Sequence, residues 1–252
     1  MLISDLYDLT GKVICVTGAS SGLGRHIATV LTLNGAKVVG VARNKSNLED
    51  WVSKTGLGSD FVVSDLADRK CLTETIQKVE EIYGPPDILV NAAGINTREH
   101  ADEVSHENWD KTLEINLSAP FFLAQGFAPA MVSKGWGRIV NFASLQCRKA
   151  FPAGISYGAS KGGVEQLTRA MAEAWSGKGV TVNALAPGFF PTELTKNLFK
   201  NPDLAKKIAK KTCIGRNGQL TDIEGPIFFL CSQASDYVTG QTLFVDGGFT
   251  VK

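Results

Sequence analysis

Seven short apolar runs, each parted from the next by a turn and a longer helical stretch, constrain this chain more than any other feature. They span 12–17 (KVICVT), 36–42 (AKVVGVA), 60–64 (DFVVS), 87–91 (DILVN), 137–143 (GRIVNFA), 180–186 (VTVNALA) and 242–245 (TLFV). Nearly every position in them is apolar. A strand covered on both faces reads this way, whereas a half-exposed strand alternates. The helical candidates between them are 22–34, 47–54, 68–83, 107–134, 154–177, 192–211 and 222–231. Parallel strands need crossover connections, and crossovers are right-handed. The expectation is an α/β doubly wound fold: a seven-stranded parallel sheet in the order 3-2-1-4-5-6-7 with helices on both faces.

With 252 residues, 44% of them hydrophobic and 20% charged, the chain can bury a substantial core. No repeat, low-complexity tract or linker divides it, so residues 1–252 read as one domain. Residues 189–218 stand out as Lys-rich and lie between the sixth strand and the last helix. They read as a helical lid, because ligands bind at the carboxyl ends of strands in such sheets. Capping boxes are expected at Ser46 with Glu49 and at Thr221 with Glu224.

Charge excludes some partners. Twenty-six Lys and Arg against 25 Asp and Glu give a net charge of +1, which offers no footprint for nucleic acid or a membrane surface. The longest apolar run, 119–132, is interrupted by Gln125, Gly126 and Pro129, and it falls short of the ~20 residues of a spanning helix. Asp5 and Asp8 break any signal-peptide pattern at the start. Five cysteines, odd in number and scattered, argue against disulfides and a thiolate zinc site and fit a reducing cytoplasm. No metal is expected. His26, His100 and His106 read as surface residues, and Trp51, Trp109, Trp136 and Trp175 as packing.

The first strand runs straight into Thr17-Gly18-Ala19-Ser20-Ser21-Gly22-Leu23-Gly24, and a helix follows. Glycines let the backbone turn sharply and approach a pyrophosphate closely, and the helix start supplies free N–H groups. A tight structural turn reads the same way in isolation. Its place inside a βαβ unit favours a dinucleotide. The second strand ends at Arg43, nineteen positions after Gly24, and no Asp or Glu lies between Lys37 and Leu48. A carboxylate there would meet a ribose 2′-hydroxyl, whereas a guanidinium suits a 2′-phosphate. NADP is therefore expected over NAD.

Tyr157 and Lys161 stand at i and i+4 in YGASK, so one helical face presents both. A free phenol titrates near pH ~10, and a neighbouring ammonium, with the positively charged nicotinamide of an oxidised cofactor, lowers that value. Ser144, at the end of the fifth strand, offers a hydroxyl where charge develops on a substrate oxygen. Asn116 falls inside a long helix, a mildly unfavourable place for that side chain.

These motifs resemble the short-chain dehydrogenase/reductase family. The likeness is carried by TGASSGLG at 17–24, NAAG at 91–94, Asn116, Ser144 ahead of Tyr157 and Lys161, Pro187-Gly188 with Thr192, and VDGG at 245–248. The resemblance implies a Rossmann-type fold and a nicotinamide-dependent oxidoreductase. Tyr157 would be its general acid in reduction and base in oxidation, and Ser144 would position the substrate oxygen. Lys161 would bind the ribose and lower the phenol's pKa, and Asn116 would order a water that feeds Lys161. It places the cofactor on Gly18, Ser20, Ser21, Gly22, Leu23, Gly24 and Arg43, with Asp65 and Leu66 at the adenine. Asn91 would brace the sheet, Ala92 and Gly94 would make room for the ribose, and Pro187, Gly188, Phe190 and Thr192 would close over the nicotinamide end.

Within that family the chain is most similar to the sugar-acid branch, the gluconate 5-dehydrogenases and 2-deoxygluconate 3-dehydrogenases, through 93–98, 143–146, 186–193 and 234–240. Arg98 and Arg148 flank the expected mouth as carboxylate partners or as ordinary solvated arginines, and Gln146 faces a hydroxylated substrate. Phe151, Phe189, Phe190 and Leu194 keep open a 3-oxoacyl reductase. A non-catalytic NADP sensor is the alternative of another class, against which Asn116, Ser144, Tyr157 and Lys161 are all present. The resemblance also implies a homotetramer or homodimer.

Overall fold

The structure, a computed structural model, describes residues 2–252. Seven strands form one parallel sheet: β1 Val13–Thr17, β2 Lys37–Ala42, β3 Ser59–Val63, β4 Ile88–Asn91, β5 Gly137–Phe142, β6 Val180–Pro187 and β7 Thr242–Val245. Their order is β3-β2-β1-β4-β5-β6-β7, the expected one. Val16 of β1 lies beside Gly40 on one side and Val90 on the other, which sets the register at the centre.

The helices are α1 Ile3–Leu6, α2 Gly22–Leu33, α3 Lys45–Thr55, α4 Arg69–Tyr83, α5 His106–Leu113, α6 Ala119–Lys134, α7 Ile155–Trp175, α8 Lys196–Phe199, α9 Pro202–Ala209 and α10 Glu224–Cys231. Side chains of a strand point alternately to its two faces, and β1 shows the consequence. Ile14 and Val16 join a core with Ile27, Leu48, Trp51 and Ile227 from α2, α3 and α10. Cys15 joins the opposite core with Val79, Phe127 and Met171 from α4, α6 and α7. Trp51 packs so closely on β2 that a methyl group at Gly40 would stand 2.7 Å from its ring.

Helix starts differ in detail from the sequence expectation. Asn44, not Ser46, caps α3 by accepting from Asn47 N at 3.0 Å, while the Ser46 hydroxyl donates to Asn44. Thr221 lies in a 3₁₀ turn, Leu220–Ile223, capped by Gln219, and Glu224 opens α10 behind it. His26 is half-buried and meets Glu224 Oε1 at 2.8 Å, so it is no free surface residue but ties α2 to α10.

Helices α5 and α6 are continuous through a wide π turn at Glu114–Ser118. The run His106–Lys134 is long and apolar enough to cross a membrane by length and composition, contrary to the interrupted reading of 119–132. Half of its most apolar window is buried inside the fold, where Leu123, Phe127 and Met131 pack on the sheet. The segment 189–218 is closed at its base by Gly218 N donating to Phe189 O at 2.9 Å. It is not one helix over 192–211. A 3₁₀ turn, Glu193–Thr195, precedes α8 and then α9. Pro202 cannot continue a helix from α8, and it leaves Asn201 extended as the cap of α9.

Candidate active site

A cavity of about 890 Å³ crosses the carboxyl ends of the strands. Its lining includes Gly18, Ser20, Ser21, Gly22, Leu23 and Gly24 after β1, Arg43 after β2, and Asp65 and Leu66 after β3. Ala92 and Gly94 follow from β4, Ser144 and Gln146 from β5, and Pro187, Gly188, Phe190 and Thr192 from β6 and the segment after it. Arg98, Tyr157 and Lys161 complete it. Asn91, Asn116 and Arg148 lie outside the lining.

The turn after β1 is built for close approach. Gly18 (φ +74°) and Gly22 (φ +56°) adopt left-handed backbone, and a methyl at Gly24 would stand 2.4 Å from Gly18 O. Ser21 sits at the N-cap of α2, but its side chain makes no capping bond. The first amides of α2 are therefore open to an anion in the cavity. Thr192 closes the other side, 3.3 Å from where a Gly22 methyl would be. This cradle fits a diphosphate. At the far end Arg43 Nη1 is 3.9 Å from Asp65 Oδ2 and both side chains are about half exposed, so the guanidinium remains available. Leu66 is buried beside it.

Asn91 braces the sheet from behind, donating to Asn141 Oδ1 at 2.9 Å, and Asn141 in turn donates to Thr168 Oγ1 at 3.0 Å. Asn91 Oδ1 is buried without a partner. The strand end it supports is fixed to β1 by Ala93 N donating to Thr17 Oγ1 at 3.0 Å.

Tyr157, Lys161 and Ser144 gather at the opposite end, with Tyr157 and Lys161 on the first turns of α7 and both buried. Lys161 Nζ donates to Phe142 O, and it lies 5.7 Å from the Tyr157 ring centroid. Burial brings the Lys161 ammonium down to about 8. The Tyr157 phenol feels opposing influences. Burial raises its pKa, opposed by the Ser144 hydroxyl and by the charge of Arg98. In this arrangement the ammonium leans on β5 while staying over the Tyr157 ring, and Arg98 adds a second charge that favours the phenolate.

Asn116 owes its position to the π turn. Its side chain makes three hydrogen bonds: Oδ1 accepts from Ile95 N, and Nδ2 donates to Ile95 O and to Ser160 Oγ at 2.9 and 3.0 Å. Ser160 Oγ in turn donates to Tyr157 O at 2.7 Å. Ser160 was not singled out in the sequence, although it stands inside YGASK. It joins the π turn to the phenol's own backbone.

The two arginines part ways. Arg98 adopts left-handed backbone (φ 57°), supported by Arg98 N donating to Asn96 Oδ1 at 3.1 Å. Its Nη2 donates to Leu194 O at 2.7 Å, so it bridges the cavity and the 189–218 segment. Arg148 does not reach the cavity. Glu165 pairs with it at 2.8 Å over the ring of Phe244. Gln146 faces the start of α7, where a Gly154 methyl would stand 2.3 Å from its Oε1. Phe151, Phe189 and Phe249 stack into an apolar wall, the first two lining the cavity.

Comparisons with known proteins agree with this geometry. A family model described as enoyl-(acyl carrier protein) reductase matches residues 18–250. A gluconate 5-dehydrogenase of Gluconobacter oxydans is 40% identical over 98% of both chains. A 3-oxoacyl-(acyl-carrier-protein) reductase of Thermotoga maritima is 36% identical, over 96% of this chain and 99% of its own. The crystal structure of a gluconate 5-dehydrogenase from Burkholderia cenocepacia, in complex with NADP and tartrate, superposes with a TM-score of 0.92 at 36% identity, covering 98% of each chain.

Proposed function

The chain belongs to the short-chain dehydrogenase/reductase family, oxidoreductases of CH–OH and C=O groups, and on that footing we propose that it reduces a keto group of a sugar acid with NADPH, or runs the reverse. The observation that carries this reading is one cavity with a 2′-phosphate-compatible guanidinium, Arg43, at one end and Ser144, Tyr157 and Arg98 at the other. When bound, the dinucleotide supplies or accepts the hydride at the substrate carbon.

The remaining roles fall to side chains of this chain. The Gly18–Gly24 backbone and the first amides of α2 hold the diphosphate, Arg43 holds the 2′-phosphate, and Asp65 and Leu66 flank the adenine. Pro187, Gly188, Phe190 and Thr192 shape the nicotinamide end. Tyr157 Oη donates the proton to the carbonyl oxygen in reduction and takes it from the hydroxyl in oxidation. The phenol carries its proton at neutral pH, the state that reduction needs. The Ser144 hydroxyl donates to the same substrate oxygen and fixes its place. Lys161 replaces the proton and steadies the ribose. Asn116, held in place by Ile95 and Ser160, would order a water that feeds Lys161.

Arg98 supplies a charge-assisted partner for the substrate carboxylate, and Gln146 a partner for a hydroxyl. A second reading, a 3-oxoacyl thioester substrate, draws on the apolar wall of Phe151 and Phe189. The same proposal includes a lid at 189–218, a cytoplasmic home consistent with five free cysteines, and a homo-oligomer paired through α6 and α7, where Phe121, Phe122 and Leu167 are half-buried. The deciding experiment follows NADPH absorbance with keto-gluconates, neutral ketones and 3-oxoacyl thioesters. Preference for the keto-gluconates supports the proposal, thioester preference selects the second reading, and NADP binding without turnover of anything selects the sensor.

A further inference from the structure

The lid carries a charge that its local structure leaves largely unused. Between Glu193 and Arg216 it holds seven cations against two carboxylates, a net +5 in a chain of net +1. Only two of those cations have an acidic partner among the described residues: Lys196 with Glu193 at 3.1 Å, and Arg216 with Asp222. Lys200, Lys206, Lys207, Lys210 and Lys211 are exposed and have no carboxylate within 4.0 Å. Four of these follow one another along α9 and just beyond it.

Packing fixes where that face looks. Ile208, the buried residue of α9, belongs to a cluster with Leu145, Phe151, Phe189 and Phe249. Leu145, Phe151 and Phe189 also line the substrate end of the cavity. The inner face of α9 thus forms the backing of the substrate wall, and its lysine face is the outside of that wall. Lys206 and Lys207 stand in the last turn of α9, where the helix dipole favours cations, and Lys210 and Lys211 follow directly, so the four form one dense positive cluster without a carboxylate partner.

We propose that the outer face of the lid is an anion collector, a cluster of unpaired lysines that draws small carboxylates to the substrate mouth before Arg98 engages them. The inference rests on the proposal that the substrate is carboxylated. One sign of charge beside a cleft with low-dielectric walls raises the local concentration of the opposite ion, and the effect fades as salt shortens the screening length. Direct recognition at Arg98 works at contact distance and is screened far less. Salt dependence therefore separates the two.

The test titrates tartrate, a small dicarboxylate, into the NADP-saturated protein by calorimetry at 20 and 500 mM ionic strength. It compares wild type, the combined variant Lys206→Gln, Lys207→Gln, Lys210→Gln, Lys211→Gln, and Arg98→Ala. The four-lysine variant is expected to weaken binding about fivefold at low salt and less than twofold at high salt. Arg98→Ala is expected to weaken it at both. An equal loss at both salts in the lysine variant, no loss, or no tartrate binding by wild type at 20 mM overturns the collector. Should the variant fold poorly, wild type alone decides: its tartrate affinity must fall steeply with salt while that for the uncharged polyol erythritol does not. Turnover is not the readout, so failure of the sugar-acid reading in the substrate panel is visible separately.

Discussion

Lys161 Nζ and the carbonyl oxygen of Phe142 lie 2.5 Å apart, which ties the buried ammonium of α7 to the last residue of β5. The cation is held where a cofactor ribose is expected, at a cost in solvation: burial lowers its pKa from 10.5 to about 8.

That cost has a sign and a pH window. The unfolded chain binds the Lys161 proton more tightly than the folded one, so wild-type stability gains as pH rises from about 8 towards 10.5. Lys161→Met removes this dependence. Its stability relative to wild type should drop by about 3 kcal/mol between pH 7 and 10.5, measured by urea unfolding of the protein without cofactor. A constant difference across that range would show that the ammonium is not desolvated.

Arg43 should decide between cofactors. Arg43→Asp removes the 2′-phosphate partner and adds a carboxylate near Asp65, which now lies 3.9 Å from the guanidinium. The KM for NADPH should rise roughly 10- to 100-fold, the range of a lost charged hydrogen bond, with NADH little affected. An unchanged ratio of kcat/KM for the two cofactors would remove Arg43 from the site.

Arg98 should discriminate substrates. Its guanidinium bridges the cavity and Leu194 O. Arg98→Ala is expected to raise KM for a keto-gluconate roughly 10- to 100-fold and for a neutral ketone by less. Equal effects on the two would mean that the residue serves only to hold the lid.

Most of the fold was legible because the strands are buried on both faces: Ile14 and Cys15 serve opposite cores, so both had to be apolar. The glycine turn was legible because only glycine tolerates its backbone and the 2.4 Å approach at Gly24. What escaped was tertiary. Nothing local tells that Arg148 meets Glu165 on α7, or that His26 meets Glu224 from the far end of the chain. The π turn around Asn116 has no propensity signature, and Ser160 acquires its link only when α7 crosses that turn. That burial raises the Tyr157 pKa was equally out of reach, because how deeply the phenol is buried depends on the whole cavity.

The central claim is that Tyr157 is the proton donor, and single-turnover reduction by Tyr157→Phe tests it most directly. NADPH binding, followed by fluorescence, should stay within about threefold of wild type, while the reduction rate falls roughly 100- to 10,000-fold. A variant that binds NADPH and still reduces the keto group within tenfold of the wild-type rate would contradict the account.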